Sequence, residues 1–155
     1  MAVYGSGLFD NDTLRIDFND LVESPSLHDV LRETVALAEA EGEVSGEDLE
    51  SSVLAAAILI DHLIYGTTYE GFEDALTQLE FEASPDLYTE YADKLSGMVR
   101  SVSESGDLAE QVAALGKKEL ETWRAHLAGI GERLDAHYHG SQAQAAKQSR
   151  AADEA

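Results

Sequence analysis

The chain has 155 residues, 44% of them hydrophobic, which suits one domain with its own apolar core and argues against disorder of the whole. It has no cysteine, so a disulfide scaffold, a thiolate metal site and a cysteine nucleophile are all excluded. Its 31 Asp and Glu against 10 Lys and Arg give a net charge of −21, which disfavours direct nucleic acid binding, because that depends on cations displacing counterions from the phosphates.

Residues 2–12 are glycine-rich and irregular, with Tyr4 and Phe9 as apolar anchors. A short helix is predicted over about Thr13–Val22, capped by Asp10 or Asp12, with Leu14, Phe18 and Leu21 on one face. Ser24-Pro25 is a cap followed by proline at a first helical position, and it opens a helix with Leu27, Leu31, Val35 and Ala38 in register that stops at Gly42. Ser45 and Asp48 form a capping box for a third helix that reaches Tyr65, with Gly66 as its C-cap. From Val53 to Ile64 this helix is apolar on nearly every side, which predicts a central, surrounded position.

Tyr69, Phe72, Leu76 and Leu79 mark a shorter fourth helix. Ser84-Pro85 repeats the start signal, and Leu87, Tyr91, Leu95, Met98 and Val102 follow at helical spacing until Gly106. Leu108, Val112 and Leu115 form one last set, and Leu120, Trp123, Leu127, Ile130 and Leu134 another. The two sets fall out of phase at Gly116, so a kink or break is expected there. After Gly140 no apolar residue exceeds alanine, so 141–155 is expected to be a frayed, flexible polar tail behind an acidic helical domain over 1–140. The predicted fold is an all-α, single-domain bundle of about six helices around a central apolar helix.

The first twelve residues carry no basic residue and no apolar run of signal-peptide length. The longest apolar run, Val53–Ile60, is far short of the ~20 residues that span a bilayer. A cytoplasmic protein with no membrane association is expected. The charge is uneven: residues 1–106 hold 23 acids and 4 bases, against 8 and 6 in residues 107–155.

Four clusters deserve a chemical test. Asp61-His62 lies inside the apolar helix. A His-Asp metal phosphohydrolase needs the opposite order and more histidines, so a hydrogen-bonded structural pair near the helix end is expected. Asp10-Asn11-Asp12 with Asp17, Asn19 and Asp20 fails as a calcium loop: Arg15 stands at the sixth position and Leu21 at the twelfth. His137-Tyr138-His139 is placed at the fraying end of the last helix and His126 off the apolar stripe, so both read as exposed. Gly5-Ser6-Gly7 lacks the preceding strand and following lysine of a phosphate loop. No catalytic residue, cofactor site or metal site is assigned.

The run Tyr4-Gly5-Ser6-Gly7-Leu8-Phe9-Asp10-Asn11-Asp12, followed by Asp17-Phe18 and Asp20-Leu21, resembles the bacterial family known as domain of unknown function 4259. Its members open with Trp-Gly-x-Gly-x-Phe-x-Asn-Asp and then Asp-aromatic-x-x-Asp-Leu. Ala55-Ala56-Ala57 and the Trp123, Leu127, Leu134 set match it more loosely, over about Met1–His137. Tyr4 stands where the family has tryptophan, and Leu108–Gln111 lacks its tryptophan-bearing stretch. The resemblance implies a helical domain and brings no activity or catalytic residue with it.

Together these features favour a non-catalytic, acidic protein-binding module, in its most concrete form an immunity or inhibitor protein against a basic partner. The acids expected to form its surface are Glu39, Glu41, Glu43, Glu47, Asp48 and Glu50. Two alternatives stay open: a metal-dependent hydrolase using Asp61 and His62, and a structural homo-oligomer whose acidity serves solubility or salt adaptation.

Overall fold

A computed structural model of the chain describes Gly7 and residues 11–23, 27–41, 44, 46–65, 85–104 and 106–154. Side chains are described for 11–23, 29–41, 44, 46–65, 91–104 and 106–137, along with Gly7. These residues form six helices: α1 (Asp12–Glu23), α2 (Leu27–Glu41), α3 (Glu47–Tyr65), α4 (Pro85–Glu104), α5 (Asp107–Ala113) and α6 (Lys117–Glu154). They pack as an all-α bundle. The helix expected around Tyr69–Leu79 and the Ser24, Ser45, Gly42 and Gly66 caps lie outside the described residues.

α3 is the centre, as its all-round apolarity requires, and it packs against every other helix. Residues 53 to 60 are all buried, and Phe18, Leu31, Leu95, Leu108, Leu127, Ile130 and Leu134 close around them. Each such Leu, Ile or Phe taken out of water contributes about 2 kcal/mol before the entropy of ordering is counted.

Three contacts set the register of α1 on α3. Thr13 donates to Glu47 Oε1, Asp17 faces Ser51, and Leu21 shares a hollow with Ala55. Each step is four residues on both helices, so α1 and α3 run parallel. α2 runs the other way, with Leu37 beside Asp48 and Val30 beside Ala55. α6 lies antiparallel to α4, where Arg124 donates to the Ser103 and Glu104 carbonyls, and parallel to the end of α3.

The start of α1 differs from expectation. Asp12 is its first residue and not its cap, and Asp10 lies outside the described residues. The cap is the buried Asn11, which accepts from the Leu14 amide through Oδ1 (3.1 Å) and whose carbonyl accepts the first helical bond from Arg15. The break at Gly116 is present, between α5 and α6. Leu108 and Val112 are buried there, whereas Leu115 is turned toward water. α6 does not stop at Gly140: its backbone stays helical through Glu154. Residues 141–154 are rich in Ala, Gln, Lys and Arg, which are strong helix formers and need no core to favour that backbone. No described helix is long and apolar enough to cross a membrane.

Candidate functional site

The acids grouped by sequence do not share one face. Glu41 and Asp48 are exposed. Glu39 turns toward α4 and pairs with Lys94 (3.0 Å), and Glu47 accepts from Thr13 of α1. Glu43 lies outside the described residues. Glu50 is fully buried and cannot belong to a surface: it accepts from the amides of Asp107 (3.1 Å) and Leu108 (3.4 Å), capping the start of α5. Burial raises its pKa above the ordinary value, with a smaller push from the Asp107 and Glu47 charges, while the two amide bonds pull it back. The helical phase carried this signal, because Glu50 lies three and four residues before the buried Val53 and Leu54.

A different set of acids converges. Asp17 and Asp20 of α1 and Asp48 of α3, with Glu33 of α2, line two adjoining hollows between these helices, of about 220 and 360 Å3. Asp17 is half-buried against Ser51. Its pKa is raised, first by burial and then by the Asp20 and Asp48 charges, while the Ser51 hydroxyl lowers it. Among the described residues no cation pairs with Asp20, Glu33 or Asp48, although Asp29, Glu39 and Asp61 each have one. Sequence reasoning missed Asp17, Asp20 and Glu33 as a surface, because only the α1–α2–α3 register brings them beside Asp48.

Asp61 is fully buried, and Arg133 of α6 donates to both its oxygens at 2.8 Å. This bidentate ion pair answers the need for a donor that the sequence raised. One turn on, Tyr65 donates to the Arg133 carbonyl (2.7 Å) and stands edge-on to His137, ring centroids 6.4 Å apart. His137 therefore sits within a continuous helix, half-buried, and not at a fraying end. His126 is exposed. Among the described residues no three His, Asp or Glu side chains gather as a metal site.

The arrangement can present negative charge around an apolar hollow and hold α3 to α6 by an ion pair whose carboxylate is buried. No family model matches the chain, and no curated protein or solved structure was found similar to it.

Proposed function

We propose that the chain is a non-catalytic, acidic protein-binding module that engages a basic protein, with inhibition of that protein (an immunity-type role) as its most concrete form. One observation carries the reading: α1 to α3 hold twelve carboxylates against two arginines, Arg15 and Arg32, and among the described residues three of the acids around the α1–α2–α3 hollows pair with no cation. Such a field draws a cationic partner and speeds its association. The Asp61–Arg133 pair supports a structural task for Asp61, since both its oxygens already serve α6. A cytoplasmic setting, and membership of the family that the Tyr4–Asp12 run resembles, belong to the same proposal.

The test is affinity capture from the native host at low and at high salt, with the full chain as bait. A basic protein held at low salt and released at high salt is the expected result. Capture of no basic protein at low salt overturns the reading.

A further inference from the structure

The hollows between α1, α2 and α3 have an apolar floor as well as an acidic rim. On α2 the core stripe is Leu31, Val35 and Ala38, all buried. A second stripe, Val30, Thr34 and Leu37, lies beside it and lines the hollows, and Leu37 leaves 54% of its surface in water. Leu21, Leu49 and Ala55 complete the floor from α1 and α3. Val30 to Leu37 spans ~10 Å at 1.5 Å per residue, which is two helical turns. Thr34 and the half-buried Ser52 put small side chains in the trough between α2 and α3, which leaves room for the ridge of another helix.

We propose that this trough docks a cationic amphipathic helix of the partner protein, with apolar side chains at i, i+4 and i+7 on the Val30–Leu37 stripe and lysines or arginines at Asp20, Glu33 and Asp48. The inference rests on the acidic-module reading above. The occupant is external because the chain's own segments 1–10, 24–26, 42–45 and 66–84 contain no lysine or arginine, and Lys147 and Arg150 belong to α6, which packs chiefly against α4. A second copy is unsuitable for the same reason: it brings a net charge of −21 to a negative rim. Helix-in-groove recognition uses this pairing of an apolar stripe with flanking charge.

The probe is a synthetic 18-residue helix of Leu and Lys with leucine on one face, measured by fluorescence anisotropy against the full chain. A scrambled peptide of the same composition is the control. The amphipathic peptide is expected to bind about tenfold more tightly than the scrambled one. Leu37→Asn, at an exposed site, and the pair Glu33→Gln with Asp48→Asn should each weaken it about tenfold, whereas Glu110→Gln with Glu121→Gln on α5 and α6 should change it less than about twofold. Circular dichroism verifies that each variant is folded. Equal binding of both peptides, or equal loss from the two charge-removing pairs, overturns the trough as the site but leaves the acidic-module reading standing. A dimer of the native chain that Leu37→Asn abolishes also overturns it, in favour of a second copy. If neither peptide binds and the host capture is empty as well, the module reading fails with it.

Discussion

Asp61 stands directly after eight buried apolar and small residues, and a carboxylate there needs a cation within reach. That need was readable from the sequence; the partner was not, since Arg133 lies 72 positions away and meets it only through the parallel packing of α3 and α6. Arg133→Met should destabilise the fold by about 2–3 kcal/mol in urea titration, below the full penalty for breaking a buried pair because the arginine side chain is 40% exposed. Adding Asp61→Asn to that variant should recover part of the loss, because no buried charge then lacks a counter-ion. A loss equal to that of an ordinary exposed arginine would mean that the pair contributes little. Glu50 teaches the complementary lesson. The run Glu47-Asp48-Leu49-Glu50 reads as a charged surface turn, but the phase of Val53 and Leu54 sends its last member inward.

The elements themselves were legible wherever an apolar period of 3.6 ran long enough. α3, α4 and the break at Gly116 stand close to where leucines, aromatics and glycines place them. What the period could not supply was α1's cap, where Asn11 had two aspartates as equally good neighbours, and the far end of α6, where alanine and glutamine support a helix without any stripe. Gly106 joins element to site. Its φ of +150° and the Glu50 carboxylate leave no room for a Cβ. Gly106→Ala should therefore cost about 2 kcal/mol or more, whereas Gly97→Ala, in open space within α4, should stabilise by about 0.5–1 kcal/mol. Thermal melts of the two variants should shift in opposite directions; a shift in the same direction would mean that Gly106 is not strained by its neighbour.

Across the whole molecule, surplus carboxylates make the folded state sensitive to anything that discharges them. Glu50 and Asp17 both have pKa values raised on folding, mainly by burial. Each carboxyl then binds its proton more tightly folded than unfolded, so the folded state holds more protons between the two values. Stability should accordingly fall as pH rises from the ordinary carboxyl values of 3.8 and 4.5 through the raised ones, and the repulsion of a −21 charge adds to the same slope. Melting temperature is expected to rise as pH falls from neutral toward those ordinary carboxyl values, and to rise with added salt at pH 7. Glu50→Gln should flatten the pH dependence. A melting temperature that drops on mild acidification would reverse the assigned sign for both groups. The fold class and its central helix were accessible from the sequence because they depend on apolar pattern alone. The acidic trough was not, because it depends on which helix lies beside which, and in which direction.

The parallel course of α1 and α3 has an electrostatic corollary. Two parallel helices begin side by side at Thr13 and Glu47, so their partly positive first turns crowd together and repel. Asp12, Glu47 and Asp48 occupy those turns and neutralise both ends. Part of the negative excess is thereby internal to the architecture: it holds two like poles in contact, and stripping it away to raise the isoelectric point would loosen the bundle at its N-terminal end.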